Sequence, residues 1–538
     1  MHPVRTLGAA CGVAAIVLGG ASGAVAAHAA GHRPTSSAAD APRWQTSGRW
    51  IVDEHGRVVI TQGVNEVQKS PPYAPDGAGF GEKDAQLLQR EGYTSVRLGV
   101  YWNALEKQPG TYDDAYLARL RGTVQTLQRH GISTLLDFHQ DMANPKYQGL
   151  GWPDWAVLDD GLPNDATYGF PANYFSSKAL QRVYDNFLAD KPAPDGVGVA
   201  THYARAIGHT AAYFKDAKGV FGIDLYNEPW PGSDFLPCVS SNGCPTQDAA
   251  LAAVQQKAID VVRHVDPHTT VYYEPQVTFN LGFPTHVRQR GNNLGMSFHV
   301  YCASFDQTGT YAGCSEPDGR AFDNADRHAA DTGHGLLLTE YGATEDRGAL
   351  AGVTDLAARH RVGTMLWAYN ETDTASLEYV AVPHPDRVSG TPLSYGFDRA
   401  AGRFTMKYSP RRVGGGSFGA GSSTTILIPA SDAPHGYDVR VTGAHVRSAP
   451  NARELVLSLA PGASMVDVTV TARRTSPTSS APPSATVSGP PVATDGPVQP
   501  TYDNGDVVAL TTALGAGGLG AVVVAARRGR RARHSATD

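Results

Sequence analysis

Eight short apolar runs recur along residues 58–370, and longer segments with apolar residues at helical spacing lie between them. The runs are VVITQGVN (58–65), TSVRLGV (94–100), ISTLLDF (132–138), GVFGIDLYN (219–227), TTVYYEP (269–275), NLGMSFHVY (293–301), GLLLTEYG (335–342) and GTMLWAYN (363–370). Segments 115–131 and 251–267 are typical of the helical stretches. Strand-type runs alternating with helix-type runs predict parallel strands joined by crossover helices. Eight such repeats predict an α/β fold, a closed (β/α)8 TIM barrel over residues 47–410. An open doubly wound sheet is the structural rival, but no glycine-rich phosphate loop follows the first run.

Beyond the barrel the pattern changes. Residues 411–423 form a Gly/Ser linker, and residues 424–472 alternate like the strands of a small all-β, sandwich-like domain. Residues 473–506 are rich in Pro, Ser and Thr and read as a stalk. At the other end, residues 1–29 read as a signal peptide closing on Ala27-His28-Ala29, and residues 30–46 as a disordered lead-in. Residues 507–526 carry no charge and are long enough to span a bilayer, and residues 527–538 form a basic tail. The expectation is an exported protein at the cell surface, anchored by a C-terminal transmembrane helix with the barrel outside. Secretion after processing is the alternative. Charged residues are only 18% of the 538, and the net charge is −6, with five Arg concentrated in the tail. This acidic exterior gives no footprint for nucleic acid.

Barrel enzymes work at the C-terminal ends of their strands. Glu228, in Asn227-Glu228-Pro229, closes the fourth run, and Glu340 closes the seventh. Two carboxylates converging at one face are what glycosidic cleavage needs, one to protonate the leaving oxygen and one to attack the anomeric carbon. That division of labour asks for a protonated Glu228 and an ionised Glu340. Arg97 can keep a carboxylate ionised with its fixed fork of donors. His299 and Tyr301, two apart, share one strand face. His139 and Asp141 lie in a polar cluster directly after the third run, and Asn65 closes the first. No HExxH or compact ligand set accompanies His139, so no metal and no cofactor are expected. Trp367 offers a ring face that could stack on a sugar. Trp102, Tyr147, Trp152, Trp155, Trp230 and Phe235 follow barrel strands and predict an exposed aromatic mouth. The exported Cys238, Cys244, Cys302 and Cys314 allow three pairings; proximity in sequence favours 238–244 and 302–314.

These motifs resemble glycoside hydrolase family 5, the retaining (β/α)8 glycosidases, across residues 47–470. The segment LLDFHQDMANPKYQGLGWPDWAV (135–157), GIDLYNEPWPG and the trailing β domain are most similar to the endoglycoceramidase-like subgroup. The resemblance implies Glu228 as acid/base, Glu340 as nucleophile, and Arg97 as the support of the nucleophile. It also implies Asn227 at the sugar 2-hydroxyl, His139 in the sugar subsite, His299 and Tyr301 beside the nucleophile, and Trp367 as an aromatic platform. The implied activity is hydrolysis of the bond between a sugar headgroup and a lipid. An endo-β-glucanase or mannanase of the same clan and a non-catalytic carbohydrate-binding surface protein are the alternatives. The expected partners are a glycolipid or oligosaccharide substrate and, through the C-terminal span, a membrane.

Overall fold

The computed structural model describes residues 44–302, 310–370 and 374–473. Eight parallel strands close into a barrel in sequence order: Gln62–Glu66, Ser95–Val100, Ser133–Phe138, Val220–Asp224, Thr270–Tyr273, Leu294–Val300, Gly335–Gly342 and Gly363–Trp367. Strands buried on both faces have no reason to alternate polar and apolar residues. Accordingly every residue of the second and third strands is buried. Their outward side chains, such as Val96, Leu98 and Leu136, pack on a shell of helices that supplies Leu117, Leu120, Ile207 and Ile259. The helix Asp114–Arg129 starts where the Asp113 side chain accepts the Tyr116 N–H, and Pro245 opens the helix Pro245–Val265 at a position needing no intrahelical donor.

The barrel floor is plugged by the chain that precedes it. Trp44, Ile51 and Val59 insert against Leu135, Phe221, Tyr272, Leu337 and Met365. Trp44 stacks on Phe221 at 4.0 Å between ring centroids, and the Arg387 guanidinium lies over the Trp44 ring at 5.0 Å. The three residues from 44 to 46, read from sequence as part of a disordered lead-in, are therefore ordered here: Trp44 is buried and Gln45 begins a strand.

The apolar run at 58–65 is shared between two sheets. Val58–Val59 pairs antiparallel with Trp50–Val52 and with His384–Val388, and only from Gln62 does the chain enter the barrel. Periodicity cannot say which partner a run pairs with. After the barrel, two antiparallel layers form a β-sandwich. One has seven strands and includes His384–Val388, Ser423–Leu427 and Glu454–Leu459; the other has four, ordered Thr391–Asp398, Arg403–Ser409, Val466–Ala472 and Tyr437–Thr442. Phe404, Met406, Tyr408, Ile426, Leu457, Val468 and Val470 meet between them. Strands at 384–409, grouped with the barrel by sequence, thus belong to the sandwich, and residues 411–423 connect strands inside it.

The membrane expectation is corrected. Among the described residues no helix is long and apolar enough to cross a membrane. The longest, Pro245–Val265, is interrupted by Asp248, Gln255, Lys257, Asp260 and Arg263, and its apolar stripe faces the barrel. The proposed span at 507–526 lies outside the described residues, as do the signal, stalk and tail segments. The transmembrane anchor, the membrane as a partner and the anchored cell-surface location are withdrawn.

The floor plug predicts a stability effect separable from chemistry. Trp44→Ala removes a buried indole and should cost about 3–5 kcal/mol in urea unfolding. Turnover measured well below the unfolding transition should stay within about twofold of the parent. A destabilisation under about 1 kcal/mol would show that the plug bears no load.

Candidate active site

Every barrel strand contributes to one polar cluster at the C-terminal face. Asn65 comes from the first, Arg97 from the second, Asp137 and His139 from the third, and Asp224, Asn227 and Glu228 from the fourth. Glu274 follows the fifth strand, His299 and Tyr301 lie on and just after the sixth, Glu340 is on the seventh and Trp367 ends the eighth.

Arg97, with no exposed surface, organises the centre. Its Nε donates to Asp224 (3.1 Å), Nη1 to Glu340 Oε1 (2.6 Å) and Asn65 (3.2 Å), and Nη2 to Asn227 (2.9 Å) and Glu274 (2.9 Å). Asp137 adds an ion pair at 2.9 Å. A guanidinium has five N–H donors, and each finds an acceptor here.

Glu340 faces this cluster because its strand is irregular. Pairing shifts register between Leu338 and Glu340 on one side and between Leu338 and Tyr341 on the other. Strict alternation would send residue 340 outward with Leu336 and Leu338; an extra residue in the strand re-aims it. Its second oxygen accepts the Tyr301 hydroxyl at 3.0 Å. Burial pushes the Glu340 carboxyl above its ordinary range, opposed by the charges of His299 and Arg97. The ionised state read from sequence is therefore not secured by Arg97 alone, because desolvation outweighs it.

Glu228 sits in the left-handed region, at φ 44°. Three groups fix it: its N–H donates to Glu274 Oε2 (2.8 Å), Asn280 donates to its Oε1 (2.7 Å), and the Gln140 amide donates to the Asn227 and Glu228 carbonyls (2.8 and 3.2 Å). His299 lies between the carboxylates, its Nδ1 3.0 Å from Glu228 and 3.5 Å from Glu340, with Nε2 3.2 Å from Glu274. Burial lowers the affinity of His299 for its proton, but Glu274 and Glu340 overcome this and hold it well above the ordinary value.

One donor atom each from Glu228, His299 and Glu340 lies within 4.8 Å of the others. One oxygen of each carboxylate therefore lies closer to the other than the roughly 6.5 Å at which the carboxyl groups of inverting enzymes begin. The same trio could be compared with a metal site. Here Asn280, Arg97 and Tyr301 already donate to the oxygens of these carboxylates.

A second patch lies beside the pair. The His139 ring stacks on Trp367 (5.4 Å, 14° between planes), Lys69 covers the Trp367 ring at 4.6 Å, and Lys69 donates to Asp141 at 2.7 Å. The loop doubles back on Asp141 at Gly149, where a Cβ would come within 2.1 Å of the Asp141 carbonyl oxygen. Cys238–Cys244 and Cys302–Cys314 are disulfide-bonded, in the loops after the fourth and sixth strands.

The aromatic mouth expected from sequence is mostly core. Trp102, Trp152 and Trp230 are each 1% exposed and Tyr147 0%; Trp102 packs edge to face on Tyr203 and Trp152 on Tyr184. Trp155 and Phe235 are half-buried. The large apolar side chains exposed on these loops are instead Leu162, Tyr168, Phe170 and Leu236. Sequence reasoning also passed over Asp137, Asp224, Gln140, Lys69, Asn280 and Glu274. A signal for the last existed: Glu274-Pro275 repeats, one strand on, the Glu228-Pro229 pattern.

His139 gives the site a pH signature. Burial disfavours its charge, but Asp137 and Asp141 raise it to about 9. A histidine raised in the fold stabilises fully below its unfolded value of about 6.5 and loses that contribution as pH climbs through the folded one. Unfolding free energy should therefore fall from pH 6.5 to about 9, and His139→Gln should flatten part of that slope. An unchanged slope in the variant would contradict a charged His139.

The chain is similar to known proteins over most of its length. Residues 52–373 match the profile of cellulase (glycosyl hydrolase family 5), and residues 383–471 match the glycoside hydrolase family 5 C-terminal domain. The chain is 33% identical over 447 residues to endoglycoceramidase I of Rhodococcus hoagii (strain 103S), covering 79% of this chain and 87% of that protein. Endo-glycoceramidase II from Rhodococcus sp., solved as a lactosyl-enzyme intermediate, superposes with a TM-score of 0.68 at 26% identity, covering 79% of this chain and 100% of the other. The same enzyme in complex with ganglioside GM3 superposes at 0.69 with 25% identity, covering 79% of this chain and 99% of the other.

Proposed function

The chain belongs to glycoside hydrolase family 5, and on that premise we propose that it is a retaining, endoglycoceramidase-like β-glycosidase releasing a sugar headgroup from a glycolipid. The observation that carries this reading is the Glu228–Glu340 pair, with one oxygen of each inside 4.8 Å of the other, in a chain similar over most of its length to endoglycoceramidases.

In the first step a Glu340 oxygen bonds to the anomeric carbon while the bond to the lipid oxygen breaks. The bonding electrons leave with that oxygen, which takes the proton of Glu228. In the second step water attacks the same carbon, gives its proton to Glu228, and the ester electrons return to Glu340. Arg97 and Tyr301 hold the two oxygens of Glu340, which limits its rotation before attack. Asn280 and His299 hold Glu228 Oε1, leaving its other oxygen to carry the proton. Asn227 is held by Arg97 and by its own donation to the Gln140 carbonyl (3.0 Å), which orients it for a hydroxyl beside the reacting carbon. Asn65 supports Arg97, and the patch of His139, Asp141, Lys69 and Trp367 offers polar groups to the headgroup. The substrate class rests on the relatives: one solved enzyme was captured with ganglioside GM3 and as a lactosyl-enzyme intermediate.

The test is a panel of glucosyl, galactosyl and lactosyl ceramides, a sterol glucoside, cellulose and mannan, with detergent present. Headgroup release from glycolipids is expected. Good cleavage of cellulose or mannan with every glycolipid intact would overturn the lipid assignment and leave the family chemistry. Glu340→Gln should lower turnover by about 10³-fold or more, because an amide forms no glycosyl ester. Glu228→Ala should slow natural substrates by about 10²–10⁴-fold and spare those with acidic leaving groups. Equal losses on both substrate types would remove the acid/base role from Glu228.

A further inference from the structure

The two catalytic steps move one negative charge back and forth across His299. In the free enzyme the nucleophile Glu340 carries it; in the ester intermediate Glu228 carries it, having given up its proton. His299 lies within 3.5 Å of both. A cation there favours whichever carboxylate is charged without any group having to reorient. It must stay a cation throughout, and Glu340 cannot ensure that, since its charge vanishes on esterification.

Glu274 can. Its Oε1 faces His299 Nε2 at 3.2 Å and Arg97 at 2.9 Å, while Oε2 accepts the Glu228 N–H at 2.8 Å. Its own carbonyl is anchored by Gln255 at 2.7 Å. The loop it opens grips the acid/base twice more: Val277 N–H donates to the Pro229 carbonyl (2.9 Å), and Asn280 donates to Glu228 Oε1 (2.7 Å). A backbone in the left-handed region is held there only when its surroundings fix it, and the Glu274 bond is placed on the residue concerned.

We propose that Glu274 is a positioning residue with two separable functions: it latches the backbone of Glu228, and its ionised form supplies the His299 cation with a counter-charge that esterification of Glu340 does not remove. This rests on the acid/base reading of Glu228. The charges around the Glu274–His299 pair are Arg97 from the second strand, Asp137 and His139 from the third, and Asp224 and Glu228 from the fourth. Glu340 on the seventh strand and the Tyr301 hydroxyl complete the set. Among the groups that the reaction leaves unchanged, Glu274 is the carboxylate in contact with His299.

Two substitutions divide the functions. Glu274→Gln keeps an oxygen for the Glu228 N–H and turns an N–H toward His299, which favours its neutral form. Nitrogen NMR of histidine-labelled protein should show His299 protonated across about pH 5–8 in the parent and releasing its proton within that range in the variant. The basic limb of kcat/KM should move down by about one pH unit or more, with KM within about twofold. Glu274→Asp keeps the charge and loses the reach to Glu228. Its profile should stay in place while kcat falls about tenfold or more, most on substrates with poor leaving groups. Either result is readable without the other if one variant does not fold. An unchanged His299 titration in Glu274→Gln, or a Glu274→Asp enzyme with parental kcat, would overturn the corresponding function. Failure of the acid/base reading would show separately, as a Glu228→Ala enzyme blind to leaving group.

Discussion

A single guanidinium holds the active-site end of this barrel together. Arg97 is buried on the second strand, and its donors reach groups from the first, fourth, fifth and seventh strands, with an ion pair to the third. Stranding such a cation in a protein interior is costly unless its charge and every donor are met. Here four carboxylates and two asparagines meet them. Lysine could not replace it, since a point charge with three donors cannot address six acceptors lying around one plane. The geometry of Glu340, Asn227 and Glu274 is thus set jointly rather than one residue at a time.

The same cluster has more carboxylates than cations, and that imbalance shapes its protonation. Burial raises Asp224, Glu274 and Glu340, while neighbouring carboxylates hold His139 and His299 charged. Protons are therefore retained in the site at pH values where exposed carboxylates have lost them. For the proposed reaction, in which Glu228 would pass a proton to a leaving oxygen and recover it from water, such a store of closely spaced, convertible sites is a useful medium. Beneath it the apolar floor around Trp44 closes the barrel, so the cluster is reached from one face.

Much of this was legible in the sequence because barrel chemistry is tied to strand ends. Glu228 and Glu340 could be paired across more than a hundred residues by counting strands, without any contact being known. What failed was inference from side-chain direction. Period-two alternation would have turned Glu340 outward, and only a register shift at Thr339 turns it in. The tryptophans after the strands look like a mouth in sequence, but loops have cores too, and Trp102, Trp152 and Trp230 fill them. Glu274 was passed over because a lone strand-end carboxylate is weak evidence until its partners are seen. The apolar run at 58–65 could not disclose that its first half pairs in the sandwich. Hydrophobicity at 507–526 lies outside the described residues, and within them no helix meets the demands of a bilayer.

The central claim is that Glu340 and Glu228 act by double displacement, and the stereochemistry of the first product tests it most directly. Proton NMR of the sugar released from a β-linked glycolipid, recorded before mutarotation, should show the β-anomer forming first. Two successive inversions at one carbon require it. First appearance of the α-anomer would mean a single displacement by water, and would contradict the roles assigned to both carboxylates.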